Sequence, residues 1–591
     1  MAAPLGVCVL PEPEKNRSRT IAYPQYIHEI LAHAGLCYER VELADLGDLL
    51  PQLRLLVTVG ETPLPEYLRA SLRDWVRQGG GWVSVGGLCG LEDLLGAQAE
   101  TPAYPNWGGG AGTLGEGYLQ AEVGEHPALA HLEIPLHFFN GIPIEATEAA
   151  VLARVLDAHQ RSTARHALLE NTVGQGRCLL IAPDVTGTVV FIQQGRAITR
   201  DGVPAPDGTA PLCDGVLKSD DGGVLDWSFD RQPVPGVPGL HAFLQPIADQ
   251  WRELLLRAVF YLADTLAVVL PVLWLYPRNL PALAHLSHDT DSNDPEKARR
   301  LLKILEEMQV HGTWCVILPG YPPEIMDAIR DAGHELATHY DALDHPWSEE
   351  EFDRQWRELC ALFAPEVPVS NKNHYTRWEG DTEFFDWCAR RGIRLDQSKG
   401  ASKTGDVGFN FGTCHPYFPL APDGRRLNVL ELPMPTQDLE VVAPAALGEV
   451  LLKAAERHHG VLHLLFHPAH TSREDVAQAL RDMVSMAKAQ GMEWWTAKQL
   501  DAWERGRRQA QWQDYRQEGS AVQVTLRAGE PLREATLLWL ARSGGRVRVN
   551  GVEQTTKTVN RWGFAFQAAT VTLPAYAETT IRVEESTDYT D

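Results

Sequence analysis

The spacing of apolar and polar positions changes along the chain and predicts three regions of different fold. Short apolar runs alternate with amphipathic helical patterns near the N-terminus, and a similar alternation resumes over about 267–505. Residues 521–584 instead alternate apolar and polar positions in short runs separated by Gly and Asn. Strand–helix alternation is typical of parallel sheets, and short alternating runs are typical of antiparallel sheets. We therefore expect an α/β multidomain protein with domains at 1–265, 266–510 and 517–588.

The first domain, 1–265, has the pattern of a doubly wound, flavodoxin-like fold. Leu53–Val59 is a nearly continuous apolar run, as expected of a buried parallel strand, and Leu64–Gln78 is an amphipathic helix. Gly187–Gln193 is predicted to be a further strand. The stretch from about 198 to 240 is rich in Gly, Pro and Asp and predicts a loop-rich insertion. Such an insertion fits a flap over a neighbouring active site or an inserted hairpin.

The second domain, 266–510, predicts a distorted (β/α)7 barrel, because seven apolar runs alternate with helical patterns. The predicted strands are Leu283–Ser287, Gly312–Leu318, Glu335–His339, Val367–Asn371, Ile393–Asp396, Val429–Leu432 and Val461–His467. In such barrels the functional groups lie at the C-terminal ends of the strands. The third domain predicts a small antiparallel β-sandwich.

Charge and composition narrow the function classes. The 591-residue chain has a net charge of -25, which argues against nucleic acid or an anionic membrane as a partner. Its nine cysteines include no CxxC pair, which argues against a disulfide framework or a cysteine zinc cluster. The N-terminal run MAAPLGVCVLPEPEKN has no basic segment followed by an apolar core, so we predict no signal peptide and a cytoplasmic location.

The run LAHLSHDTDSND, residues 283–294, carries the first candidate chemistry. Asp289 and Asp291 are two residues apart, and in an extended strand such residues point to the same face. Adjacent carboxylates repel, so a fold tolerates them when a cation lies between them or when one of them is a working base. Asp294 before Pro295 is explained as a helix N-cap, but this explains neither Asp289 nor Asp291. A metal-binding or catalytic role is therefore predicted for that pair.

Histidines and charged side chains follow other predicted strands of the same domain. These are His339 and His345 after the third strand, His374 and Arg377 after the fourth, Asp396 at the end of the fifth and His467 at the end of the seventh. One carboxylate and two imidazoles suit zinc and similar divalent metals and leave a position for water. The metal lowers the pKa of that water, a second carboxylate can act as general base, and a histidine can protonate the leaving group.

The motifs SHDTD, GHELATH, NHYTRW, RLDQS and LLFHP, in this order, resemble the polysaccharide deacetylase family, the NodB-homology fold of carbohydrate esterase family four. The resemblance covers about 267–505. It implies a distorted (β/α) barrel and metal-dependent removal of acyl groups, usually acetyl, from N-acetyl or O-acetyl sugars. The implied substrate is an acylated sugar or oligosaccharide, and the implied cofactor is a divalent metal ion, with Zn²⁺ favoured.

Carried over motif by motif, the resemblance implies a role for several residues. It implies Asp289 as catalytic base, Asp291 as metal ligand, His339 as first metal histidine, Arg377 as the arginine that holds the base, Asp396 as the acid that orients the last histidine, and His467 as general acid. The chain departs from the family twice. Thr290 separates two aspartates that are adjacent in the family. The fourth residue after His339 is Leu343, so we favour His345 as the next metal histidine, with His374 as the alternative.

The N-terminal run VRQGGGWVSVGG resembles the class I glutamine-amidotransferase-like fold, as found in accessory domains of some glycoside hydrolases. Cys89 lies near the position of that fold's nucleophile, but no His-x-Glu partner follows, so we predict a non-catalytic domain. Such domains often form dimers or trimers in relatives, and we expect a homo-oligomer. Two alternatives remain for the whole protein: an amide hydrolase acting on non-carbohydrate C–N bonds, and a catalytically silent carbohydrate-binding or scaffold protein.

Overall fold

The computed structural model describes residues 3–11, 21–100, 113–122, 125–203, 205, 207–209, 213–518, 521–541 and 546–584. Residues outside these ranges include 204, 206 and 210–212 of the predicted insertion and 585–588 of the predicted sandwich. Packing groups the chain into two compact units. Unit 1 consists of 1–189, 250–279 and 504–591, and unit 2 consists of 190–249 and 280–503. The three domain boundaries stay a prediction.

Within the described part of 3–194 the chain forms a mixed nine-stranded sheet. The strands here are β1 Leu5–Val9, β2 Tyr38–Arg40, β3 Leu55–Val59, β4 Gly81–Val85, β5 Ala97–Ala99, β6 Glu116–Ala121, β7 Leu136–Phe139, β8 Ile144–Ala146, β9 Ala150–Asp157, β10 Ser162–Val173 and β11 Gly176–Ile181. The helices are α1 Ile27–Ala34, α2 Leu46–Leu49, α3 Glu66–Arg77, α4 Glu92–Leu95 and α5 Val185–Gln194. The sheet order is β2-β1-β3-β4-β11-β10-β9-β6-β7, parallel from β2 to β11 and antiparallel from β11 to β7.

One predicted strand of this region is wrong. Gly187–Gln193 lies in the helix α5. The segment TVVFIQQ of this helix is rich in β-branched residues. The helix is buried on nearly every side, so its polar and apolar positions do not alternate at helical spacing. A short apolar run of this kind cannot be distinguished from a buried strand by periodicity alone. Tertiary burial therefore overrides the strand propensity of the run.

Little regular structure follows α5 among the described residues until the next long helix. The elements are β12 Gln232–Pro233, β13 His241–Ala242, α6 Ile247–Thr265 and β14 Val272–Leu273. β12 and β13 pair as a two-stranded antiparallel ladder. Within unit 2, Ile198 pairs with Gly380 and Lys218 pairs with Arg377, each through an isolated antiparallel bridge. The insertion therefore contacts the loop that follows His374.

Unit 2 contains the predicted series of parallel strands. They are β15 Leu283–Asp289, β16 Thr313–Val316, β17 Glu335–Tyr340, β18 Ser370–Asn373, β19 Leu395–Asp396, β20 Leu430–Glu431, β21 Val461–Leu465 and β22 Glu493–Trp494. The helices are α7 Pro295–Met308, α8 Pro323–Asp331, α9 Glu349–Phe363, α10 Glu383–Arg390, α11 Ala445–Arg457, α12 Glu474–Ala489 and α13 Ala497–Arg508. The order is β20-β19-β18-β17-β16-β15-β21, and β22 also pairs with β15.

All seven predicted strands are present in sequence order, and the eighth, β22, was not predicted. Every ladder of this sheet is parallel. Among the described residues no ladder joins β20 to β21, so the sheet is curled and open rather than a closed ring. Because all its strands run the same way, their C-terminal ends meet at one rim, which is where functional groups collect in this architecture.

The chain beyond α13 forms antiparallel sheets, as its alternation predicts. The strands are β23 Gln511–Glu518, β24 Ala521–Arg527, β25 Leu532–Leu540, β26 Arg546–Val549, β27 Val552–Gln554, β28 Thr556–Arg561, β29 Phe564–Leu573 and β30 Glu578–Glu584. They form a five-stranded sheet, β23-β24-β30-β26-β27, and a four-stranded sheet, β14-β25-β29-β28, in which β14 comes from earlier in the chain.

Candidate metal centre and active site

The two aspartates of the first motif lie where β15 ends. Asp289 is the last residue of the strand and is buried. Asp291 lies beyond it in a turn, with a backbone φ of 28°, and its side chain is 40% exposed. A turn therefore brings the two aspartates together. The sequence had instead predicted that alternation along a strand would do so. A non-glycine residue with positive φ is strained, and such strain is commonly retained at functional sites.

Two histidines approach one oxygen of Asp291. Nε2 of His339 lies 3.4 Å from Asp291 Oδ1, and Nε2 of His374 lies 3.8 Å from the same oxygen. The other ring nitrogens are already engaged. Nδ1 of His339 donates to the Lys372 backbone carbonyl at 2.9 Å, and Nδ1 of His374 donates to Asp341 at 3.0 Å. Both rings thus present Nε2 as the free ligand atom, an arrangement typical of metal-binding histidines.

His345, the ligand favoured from the sequence over His374, lies beside Glu351. Its Nδ1 is 3.8 Å from Glu351 Oε1, and its side chain is 46% exposed. The four-residue spacing of the family motif is lost here, and the loop does not return His345 to Asp291. His374 follows β18 at the same rim and forms the group of potential metal ligands with Asp291 and His339. The preference between the two histidines is therefore reversed.

His467 lies on the other side of Asp291. Its Nε2 is 3.6 Å from Asp291 Oδ2, and its Nδ1 contacts the buried carboxylate of Asp438. The backbone N–H of His467 also donates to Asp438 Oδ1 at 2.8 Å. Asp438, and not the predicted Asp396, therefore orients His467. Asp396 instead accepts hydrogen bonds from Asn371 and Ser398, both at 2.8 Å, because it lies on β19, farther along the sheet.

The cation beside Asp289 also differs from the one expected. Lys372, fully buried on β18, places its Nζ 3.5 Å from Asp289 Oδ1 and 2.6 Å from Ser287 Oγ. Arg377, which was predicted to hold the base, pairs with Glu379. Lys372 is part of the strand β18, and its side chain projects into the buried interior of the curled sheet. Arg377 lies in the loop after that strand.

Charges in the site favour ionised groups despite burial. Burial opposes ionisation of Asp291, but the neighbouring His339, His467 and His374 hold the pKa of Asp291 well below its usual value. Burial lowers the pKa of His467, but the adjoining Asp438 carboxylate, with Asp289 and Asp291, outweighs burial and raises that pKa to about 9. The pKa of His374 is likewise raised, against burial, by Asp341 and Asp291.

The residues present fit a divalent cation. Asp291, His339 and His374 offer one carboxylate oxygen and two imidazole nitrogens within 4.8 Å of one another. His339 Nε2 is buried and has no hydrogen-bond partner. Buried polar atoms are normally satisfied, so this nitrogen needs an explanation. An oxygen and two nitrogens are the ligands that zinc and similar metals take at catalytic sites.

Three residues that contribute to the site were not predicted from the sequence: Lys372, Asp341 and Asp438. Lys372 directly precedes the quoted NHYTRW motif, and a lysine at an inward position of a buried strand is a detectable signal. Asp341 follows His339 by two residues and was hidden among several acids of that loop. Asp438 lies in an irregular segment before α11, where no periodicity places it, and only the fold brings it beneath His467.

Cys89, predicted to be non-catalytic, is fully buried in unit 1 with a backbone φ of 57°. Burial raises the pKa of its thiol to about 11, against hydrogen bonds from Ser84 and Thr58. A thiol with a raised pKa is a poor nucleophile near neutral pH, because the thiolate is the reactive form. That the domain is non-catalytic stays a prediction.

No known family model matches the chain, and no curated protein is significantly similar to it in sequence. Among solved structures, the carbohydrate deacetylase Agd3 is 10% identical, with 98% of each chain covered and a TM-score of 0.41. A protein assigned as a polysaccharide deacetylase from Mycobacterium smegmatis is 20% identical, over 39% of this chain and 92% of that one, with a TM-score of 0.31. A beta-galactosidase from Bacillus circulans sp. alkalophilus is 15% identical, over 31% and 29%, with a TM-score of 0.24. TM-scores below 0.5 carry no argument about function.

No helix among the described residues is both long and apolar enough to span a membrane. The longest helix, α6, has 19 residues and includes several charged side chains.

Proposed function

We propose that the cluster around Asp291 is the active site of a metal-dependent hydrolase that removes an acyl group, foremost acetyl, from an N- or O-acylated carbohydrate. One observation carries the proposal: His339 and His374 direct Nε2 at one oxygen of Asp291, while His467 directs Nε2 at the other. The site thus has a ligand side and a proton-donating side. The sugar substrate follows from the motif resemblance, not from the geometry.

Asp291, His339 and His374 would hold the cation, which when bound supplies Lewis acidity that activates water and polarises an acyl carbonyl. Asp289 is the proposed general base. It is buried, it has one oxygen without a hydrogen-bond partner, and its Oδ2 lies 3.8 Å from His339 Nε2. The side-chain nitrogen of Lys372 lies 3.5 Å from its Oδ1. Asp289 is therefore placed to take a proton from water beside the ligand cluster.

His467 is the proposed general acid. Its pKa of about 9 keeps the ring protonated at neutral pH, and its Nδ1 is held by Asp438, so Nε2 carries the proton that faces the site. Protonating the departing amine or alkoxide at Nε2 would leave a neutral imidazole, and Asp438 keeps that ring in the same orientation for the next cycle. Asp289 and His467 thus take and give one proton on opposite sides of Asp291.

The test combines metal content with acetate release. Purified protein is analysed for bound metal and assayed against N- and O-acetylated sugars, together with acylated amides that contain no sugar. About one divalent ion per chain and acetate release from sugars are the expected results. Asp289→Asn should abolish turnover and leave metal content unchanged, because Asp289 is not in the proposed ligand set. Full activity in that variant would contradict the base assignment.

The same experiment separates the alternatives. Release only from non-sugar amides would move the proposal to C–N hydrolysis outside carbohydrates, with the same metal centre. Protein that binds no metal after exposure to zinc, cobalt and nickel would contradict the ligand set and favour a silent binding module. Burial of several charged groups argues against the silent alternative, since unpaired buried charges are costly and a binding module gains nothing from them.

A further inference from the structure

A second group of ligand-type side chains adjoins the proposed active site. It consists of Asp438, His467 and His470, and we call it the second cluster. One oxygen or nitrogen from each lies within 4.8 Å of the others. The proposed reaction uses only the His467–Asp438 pair and gives His470 no role. His470 follows His467 by three residues, and its backbone N–H donates to the His467 carbonyl at 3.0 Å, which fixes their spacing.

Both imidazoles of the second cluster converge on the same carboxylate oxygen. Asp438 is fully buried, and its Oδ2 contacts Nδ1 of His467 and lies 2.8 Å from Nδ1 of His470. The two rings are 5.1 Å apart. Nδ1 of His470 is buried but is not aligned for a hydrogen bond, so it has no hydrogen-bond partner despite the short distance. Of the two imidazoles, only His467 makes a hydrogen bond to this oxygen, whereas a cation between the three atoms would satisfy all of them.

We propose that the second cluster binds a second divalent cation of the zinc class, more weakly than the first site, and that this cation inhibits the enzyme. Two imidazole nitrogens and a carboxylate oxygen suit zinc. Tetrahedral coordination with bonds of about 2.0–2.1 Å places ligand atoms about 3.3 Å apart, so small side-chain movements are enough. His470 is 41% exposed, which gives the cation access from solvent.

Binding at the second cluster replaces a proton. The cation takes the Nδ1 lone pair of His467, and the proton held between His467 and Asp438 is released to solvent. That displaced hydrogen bond is the reason we expect weaker binding than at Asp291. A ring with a cation on Nδ1 no longer cycles between imidazolium and imidazole, so the proposed acid is lost. The inhibition rests on the proposed function, whereas the cation binding does not.

The test is calorimetric titration of Zn²⁺ into the chelator-treated full chain. Two binding events of different affinity are expected. His470→Ala should weaken the weaker event at least about tenfold and leave the tighter one, since loss of a ligand costs no less than loss of a supporting contact. Asp291→Ala should remove the tighter event and leave the weaker one. His345→Ala is the matched control, because His345 is also an exposed histidine beside a carboxylate, and it should leave both events unchanged.

An activity assay then tests inhibition. Excess Zn²⁺ should inhibit the unmodified protein, while His470→Ala keeps its basal activity and resists inhibition. A single binding event that persists unchanged in His470→Ala, or two unchanged events in His470→Ala, would overturn the second site. Inhibition that persists in His470→Ala would overturn its inhibitory role. If the unmodified protein shows only the weaker event and His470→Ala loses it, the proposed function fails and the second site stands.

Discussion

Replacing Asp438 by asparagine removes the charge that holds His467 protonated. The carboxylate is fully buried and contacts Nδ1 of His467, whose side chain is only 12% exposed. Asparagine keeps the shape and one acceptor oxygen but has no charge. Burial, which lowers the pKa of His467, is then opposed only by the more distant Asp289 and Asp291. We expect the pKa of His467 to fall from about 9 towards its ordinary value or below it.

The size of the effect follows from the two pKa values. The difference between 6.5 and about 9 corresponds to about 3 kcal/mol, at about 1.36 kcal/mol per pH unit. At pH 7.5 a histidine of pKa 9 is about 97% protonated, and one of pKa 6.5 is about 9% protonated. Because the folded-state pKa is raised, this stabilisation is fully present below pH 6.5 and is lost as the pH rises through about 9. Asp438→Asn should remove that pH dependence and most of the activity at pH 7.5.

The assay is an NMR titration of ¹³C-labelled histidine in the chelator-treated protein, with His467→Gln used to assign the resonance. Asp396→Asn is the matched control. It replaces the buried aspartate that the motif resemblance assigned to this role, and its hydrogen bonds go to Asn371 and Ser398 instead. The pKa of His467 should fall in Asp438→Asn and stay near 9 in Asp396→Asn. A value near 9 in both variants would refute the electrostatic argument.

Three further variants test separate contacts. His374→Ala should lower metal affinity at least about tenfold while His345→Ala leaves it unchanged, as measured by calorimetry, and the reverse result would restore His345 as ligand. Lys372→Met leaves the charge of Asp289 buried without its cation, so the free energy of unfolding measured in urea should fall by about 3–5 kcal/mol. An unchanged value would show that the contact is dispensable. Tyr375 is 52% exposed beside His374. Tyr375→Ala should therefore raise KM for a sugar about three- to tenfold with little change in kcat. An unchanged KM would exclude Tyr375 from the substrate site.

The parallel sheet of unit 2 was predictable because its strands are apolar runs of strand length separated by amphipathic helices. Each of those helices has a polar face that marks it as a surface element. The helix α5 could not be predicted in this way. It is buried nearly all round, so its sequence carries neither helical nor strand periodicity, and its β-branched residues favour the wrong assignment.

For the site, the sequence was sufficient for residues that end strands and insufficient for residues that support them. Asp289, His339 and His467 follow apolar runs directly, so their convergence follows from parallel topology. The supporting acid of His467 depends on which loop passes beneath it. Asp396 and Asp438 both precede His467 in the chain, and no local pattern distinguishes them. The turn at Asp291 is likewise a backbone feature that side-chain alternation does not report.

The division of roles among the three histidines depends on what holds each Nδ1. His339 donates to a backbone carbonyl, a neutral acceptor that fixes the ring and leaves Nε2 as the proposed ligand atom. His467 donates to a fully buried carboxylate, which stabilises the imidazolium and suits the proposed role of general acid. His374 is intermediate, because its carboxylate partner Asp341 is 23% exposed and therefore partly screened by solvent. The acceptor behind each ring, more than the position of the ring itself, thus separates the proposed cation ligands from the proposed proton donor around Asp291.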